Sequence, residues 1–115
     1  MEKMILNTDA ALEMLSGESE LYKMLLDAFC NDCPKNLDAI FSYIREGKNE
    51  EARSYSHKIK GSASQIGAEQ LTFALQYLED CLKGNILGNP DALAQNADFV
   101  YRKTMSYITE FRTGI

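Results

Sequence analysis

One histidine, two prolines and three cysteines are all that the 115 residues contain of these types, and each scarcity excludes something. With so few prolines and almost no apolar–polar alternation, the chain lacks the signs of a many-stranded protein, while apolar residues recur at helical spacing nearly throughout. An odd number of cysteines, in a chain that is 45% hydrophobic, fits reduced thiols rather than a disulfide framework. Long apolar runs are missing too. Met1-Glu2-Lys3 leads into only Met4-Ile5-Leu6, and no stretch approaches the length of a spanning helix. Basic charge is short: the net charge is −5 and the pI about 4.8, which argues against a nucleic-acid binder, since phosphate neutralisation needs a basic face. The expectation is one cytoplasmic domain over residues 1–115, monomeric, free of membrane and nucleic acid, that docks on other proteins. Such a length buries roughly two-thirds of the surface that the unfolded chain exposes, so neither metal nor disulfide is required. The initiating methionine and compact length point to a free-standing protein.

Five helices are predicted. The first covers Asp9 to Leu15, capped by Thr8 or Asp9 and ended by Gly17. A second runs from about Ser19 to Glu46, with Leu21, Leu25, Ala28 and Phe29 in one stripe that Leu37, Ile40, Phe41 and Ile44 resume. Pro34 lies between the halves, and an interior proline costs about 3 kcal/mol or kinks a helix, so this is one bent helix or two abutting ones. Gly47 closes it. Asn49 is a candidate cap for the third helix, whose first turn has Glu50 and Glu51 at the positive end of its dipole, and Gly67 suits a left-handed stop after Ile66. In the fourth, about Ala68 to Lys83, Leu71, Leu75, Leu78 and Leu82 form a bundle seam. Asn89 caps the fifth, with Pro90 just inside its start and a stripe of Leu93, Ala97, Val100, Thr104, Ile108 and Phe111. Long helices joined by short turns imply an all-α antiparallel four-helix bundle, with the short N-terminal helix laid across one end.

His57 belongs to the third helix. At about 100° per residue, Arg53, Lys60, Gly61 and Ser64 fall within roughly 60° of it. Ala52, Tyr55, Ile59, Ala63 and Ile66 cluster on the opposite side, which makes the histidine a surface group on a buried scaffold. Imidazole, with a reference pKa of about 6.5, offers a free ring-nitrogen lone pair near neutrality. Phosphoryl transfer depends mainly on positioning and charge stabilisation, and Lys60 can supply positive charge one turn away. Gly61 runs against helix propensity by about 1 kcal/mol relative to alanine, and its missing side chain leaves room for a reacting partner. Ser62 and Ser64 extend the low-profile neighbourhood.

Histidine, lysine at the third position after it, glycine and serine at the fourth and fifth, and a Gly-Ala pair at the tenth and eleventh make up the run from His57 to Ala68. With Leu71, Leu75, Leu78 and Glu79 following, this resembles the histidine-containing phosphotransfer (HPt) domain family of two-component phosphorelays. Weaker similarity reaches Ala10-Ala11-Leu12, Glu20-Leu21-Tyr22 and Phe29. The resemblance implies a bundle whose histidine takes a phosphoryl group from the aspartate of one receiver domain and passes it to another. Carried over residue by residue, His57 is the acceptor, Lys60 the charge stabiliser and Gly61 the space-clearing residue. Glu79 stands where the family often has Gln or Glu orienting the ring, although its negative charge would favour a protonated ring. Ser56 and Lys58 depart from the alanine and small hydroxylated residue common at those positions.

The chain has no glycine-rich nucleotide loop with its lysine and no visible metal cluster, so no autonomous kinase activity and no bound cofactor are expected. Magnesium would come with the receiver partner, which belongs to a hybrid histidine kinase, a response regulator, or both. The expected docking surface is the exposed face around His57, with apolar boundary residues from the first two helices. Two rival readings carry other chemistry. A helical adaptor without phosphate would keep the bundle, but has no reason to hold glycine mid-helix. A redox protein would use Cys30 and Cys33, whose spacing lacks both a second ligand pair for zinc and the βαβ context of a thioredoxin-like motif. Tyr101, Tyr107 and Phe111 read as core and boundary residues.

Overall fold

Residues 2–114 are described by the computed structural model, and among them the only regular elements are five helices: α1 (Thr8–Met14), α2 (Ser19–Arg45), α3 (Asn49–Gln65), α4 (Glu69–Leu82) and α5 (Pro90–Thr113). Each of α2 to α5 has one apolar stripe to bury, and four such stripes close around a common axis. α2 packs on α3, α3 on α4, α4 on α5, and α5 returns to α2. The centre is filled by Leu26, Ile40, Ile59, Leu71, Leu75 and Leu78, all essentially without solvent contact. Among the described residues no helix is long and apolar enough to cross a membrane.

α2 is continuous through Pro34, which resolves the choice between one helix and two. Pro34 is exposed, so its ring and its missing N–H face solvent rather than the packed interior. The first half of the α2 stripe is displaced by about one residue from the expected one. Tyr22, Leu26, Phe29, Cys33, Leu37 and Ile40 are buried, whereas Leu21 and Ala28 are exposed and Leu25 is half-buried. The cause is Tyr22: its hydroxyl donates to the Ile66 carbonyl at 2.8 Å and its ring meets Phe111 edge-on with centroids 5.7 Å apart. A tyrosine can therefore occupy the inner position that hydropathy alone assigns to leucine. Of the tyrosines at helical spacing in α5, Tyr101 is buried and Tyr107 exposed.

Two caps also lie one residue earlier than expected. Asn7, not Thr8 or Asp9, caps α1, its side-chain oxygen accepting from the Ala10 N–H at 3.1 Å. Lys48 stands at the cap of α3 without a side-chain bond, and Asn49 is the first helical residue. At α5, Asn89 caps and Pro90 opens the helix as expected.

The segment before α1 is tied to the α3–α4 turn. Asn7 N–H donates to the Gly67 carbonyl at 2.7 Å, and Gln70 N–H to the Met4 carbonyl at 3.1 Å. Glu69 accepts from the Met4 N–H and the Asn7 side chain, each at 2.9 Å. Gly67 turns this corner with φ +83°, and a Cβ there would stand 2.4 Å from the Asn7 carbonyl oxygen. Only glycine meets both demands. The strap brings α1 alongside the end of the bundle where α3 passes into α4.

Candidate functional site

α3 buries Ala52, Ser56, Ile59 and Ala63, and this inner stripe turns His57 outward, its side chain 63% exposed. Ser56, next in the chain, is fully buried and donates to the Leu75 carbonyl of α4 at 3.0 Å. That bond fixes how far α4 stands from α3 beside the histidine, and it explains a serine on a face otherwise made of apolar residues.

Opposite His57, α4 contributes Glu79, 2% exposed. Its Oε1 lies 3.1 Å from His57 Nδ1 and 3.0 Å from Lys60 Nζ, and its Oε2 lies 3.1 Å from Lys83 Nζ. Burial by itself raises the pKa of this carboxyl; the bonds from Lys60, Lys83 and His57 outweigh burial and hold it down to about 2. An ionised carboxylate only accepts, so the atom facing it, Nδ1, carries the proton. In the neutral ring the lone pair then belongs to Nε2. The negative charge beside the imidazole is shared with two ammonium groups, those of Lys60 and Lys83.

Lys60 is also held by Gln76, whose Oε1 accepts from its Nζ at 2.7 Å; the Gln76 amide in turn donates to Asp80 at 2.9 Å. Lys60 is thus a fixed positive charge, mostly buried, rather than a loose surface lysine. Arg53, one turn before His57, is engaged by Glu50, with Nε 3.1 Å from the carboxylate. Gly61 is exposed, and a Cβ built on it would meet nothing within 4 Å beyond the helix's own backbone. No helix presses on this glycine, which removes close packing as its reason and leaves open space one turn from the imidazole. Ser64, two turns along, is exposed and lines a groove with Ala10, Met14, Phe73 and Gln76. That groove has apolar walls from α1 and α4, and another, where Leu25 and Ala28 of α2 meet Ser62 of α3, flanks the same helix.

The structure brings His57, Lys60, Gly61 and Glu79 to one place, with Ser64 at its margin. Lys83 and Gln76 were not singled out in the sequence. Lys83 lies four residues after Glu79, a spacing that favours ion pairs on a helix, but its place beside Gly84 marks it first as a helix end. Cys30 and Cys33 lie elsewhere, on α2. Burial pushes the Cys33 thiol up to about 12 and raises that of Cys30, so neither supplies a ready thiolate. Among the described residues no three His, Cys, Asp or Glu side chains are grouped to hold a metal ion.

An antiparallel bundle that presents one imidazole, with one ring nitrogen engaged and the other open, has the architecture of a histidine phosphocarrier. A family model of the Hpt domain matches residues 24–111, and the chain belongs to that family. It is a phosphotransfer intermediate of phosphorelay signalling, a carrier by family that works with receiver domains. The crystal structure of histidine-containing phosphotransfer protein B from Pseudomonas aeruginosa PAO1 is similar over 99% of both chains, with a TM-score of 0.86 and 20% sequence identity, a likeness of fold. No curated protein matches the chain by sequence.

Proposed function

We propose that His57 is the phosphoryl acceptor and that Nε2 is the atom that carries the group. The supporting observation is the ring's setting: Nδ1 is pinned to buried Glu79 at 3.1 Å, the ring is otherwise largely exposed, and Gly61 one turn on leaves open space beside it. A receiver domain of a hybrid histidine kinase or a response regulator brings its aspartyl phosphate and its magnesium ion. Nε2 attacks phosphorus, the P–N bond forms, the P–O bond to the aspartate breaks, and the receiver carboxylate leaves. The reverse sequence hands the group to the next receiver.

Attack makes the ring cationic, because both nitrogens are then substituted. Glu79 meets that charge through the Nδ1–H bond, a charge-assisted interaction that strengthens as transfer proceeds. Lys60 sits between this carboxylate and the arriving phosphoryl oxygens and supplies the positive charge they need. Gly61 keeps the approach clear, and Ser64 borders the docking face. Rate comes chiefly from orientation of the two partners, with no kinase activity of the chain's own. The protein acts as a cytoplasmic monomer, one domain over residues 1–115.

Incubation with a phosphorylated receiver tests this. Phosphate should move to the chain in an acid-labile, alkali-stable linkage, and His57→Gln should abolish it. Label that persists in His57→Gln, or no transfer to the native chain from a panel of receivers, overturns the assignment.

A further inference from the structure

About 160° around α4 from Glu79, Tyr77 projects away from the histidine, and Phe73 beside it stands between this face and the α1 groove that Ser64 lines. They face α5 across a groove lined also by Gln70, Leu93, Asn96 and Val100. Phe99 lies on α5 under Lys103, which reaches the groove's Gln70. Phe73, Tyr77 and Phe99 are 49%, 46% and 61% exposed, a concentration of uncovered aromatic surface on one face. Two lysines accompany them: Lys3 Nζ lies 5.0 Å from the Phe73 ring centroid and Lys103 Nζ 5.4 Å from that of Phe99. Lys103 also donates to Gln70 at 3.3 Å.

The charge on this face contrasts with the rest of the chain. The molecule carries −5 overall, yet no carboxylate lines the groove, and among the described residues neither lysine is ion-paired. Glu69, near enough to feel Lys3, is committed to Met4 and Asn7. A furrow between two antiparallel helices, with aromatic walls and cations at its edge, fits a third helix whose apolar anchors are flanked by acidic residues. A second copy fits poorly, because two-fold pairing would set one carboxylate-free lining against another. A flat anionic membrane would meet the lysines at the edge but not the lining between the two helices, which a single helix can enter.

We propose that the α4–α5 face is a second docking surface, for an acidic amphipathic helix of a partner protein, and that it stays open while a receiver occupies His57. The probe is a synthetic peptide of about 18 residues with leucines at helical i, i+4 spacing and glutamates elsewhere, compared with a lysine-for-glutamate version. In nitrogen-15 spectra of the full chain the glutamate peptide should shift the Ala74, Asn96 and Val100 amides and bind about tenfold more tightly than the lysine peptide. Tyr77→Ser with Phe99→Ser should weaken it about tenfold. Lys3→Glu with Lys103→Glu, which removes no apolar surface, should erase the preference between peptides, and both doubles should retain transfer through His57. Equal affinity for the two peptides, no shift along the groove, a dimer abolished by Phe99→Ser, or vesicle binding abolished by Phe99→Ser would each overturn the proposal.

Discussion

Glu79 Oε1 stands 3.1 Å from Nδ1 of His57 and 3.0 Å from Nζ of Lys60, so a single buried oxygen joins the exposed ring to its neighbouring cation. Lys83 holds the other oxygen. The carboxylate can therefore remain ionised out of water, because its charge is met on both sides.

Replacing Glu79 separates orientation from charge. Glu79→Gln keeps an acceptor for Nδ1–H, and phosphoryl transfer from a labelled receiver should fall by less than about tenfold. Glu79→Ala frees the ring and should cost about 10- to 100-fold, the range seen when a partner that orients a histidine is removed. Equal rates in native and Glu79→Ala protein would remove Glu79 from the mechanism.

Gly61→Leu adds a side chain whose Cβ meets nothing within 4 Å beyond the helix's own backbone. Helix propensity alone should raise stability by up to about 1 kcal/mol, equivalent to a few degrees in Tm for a chain of this size. Transfer should drop at the same time, as the new side chain stands in the approach to Nε2. A lower Tm with an unchanged rate contradicts both halves of the argument.

Acid should weaken the fold through Glu79. Its folded pKa of about 2 lies below the ordinary carboxylate value of 4.5, so the stabilisation is complete above that ordinary value and disappears as pH falls from about 5 to about 2. The amount is on the order of 3 kcal/mol. Urea titrations across this window should show a shallower decline for Glu79→Gln, which starts less stable at pH 7. Parallel curves for the two proteins would mean that other carboxylates set the acid limit.

Lys83→Met should destabilise by about 1 kcal/mol, because it leaves a buried carboxylate with fewer partners while the lysine itself is partly solvated. Lys23→Met removes a pair whose glutamate, Glu20, is largely exposed and should cost under about 0.5 kcal/mol. Chemical unfolding of the two variants side by side gives the comparison; equal losses would show that Lys83 acts as an ordinary surface residue.

The helices were legible in the sequence because periodicity, glycine stops and the Asn89-Pro90 start all point the same way. Where hydropathy and burial disagree, as at Leu21 and Tyr22, the deciding bond reaches from α2 to Ile66, 44 residues away, and no local pattern reports it. The same holds at the candidate site. His57, Lys60 and Gly61 share one helix face and could be read together, whereas Ser56 against Leu75, Lys60 against Gln76 and the double lysine clamp on Glu79 depend on the spacing of α3 from α4. Lys60 reaches that carboxylate from α3 and Lys83 from the end of α4, a convergence that no single helix pattern displays.

Pro34 gives the longest rod in the molecule an uneven stiffness. The 27 residues of α2 span about 40 Å at 1.5 Å per residue, close to the 42 Å long axis of the whole bundle. Without an N–H at position 34, the carbonyl four residues earlier, on Cys30, loses its rung of the helical ladder. Flexing at that level breaks one bond fewer than anywhere else along the rod. A lean of the half bearing Tyr22 and Leu26 would carry the α3–α4 turn with it, since Tyr22 is bonded to Ile66 and the strap to Gly67.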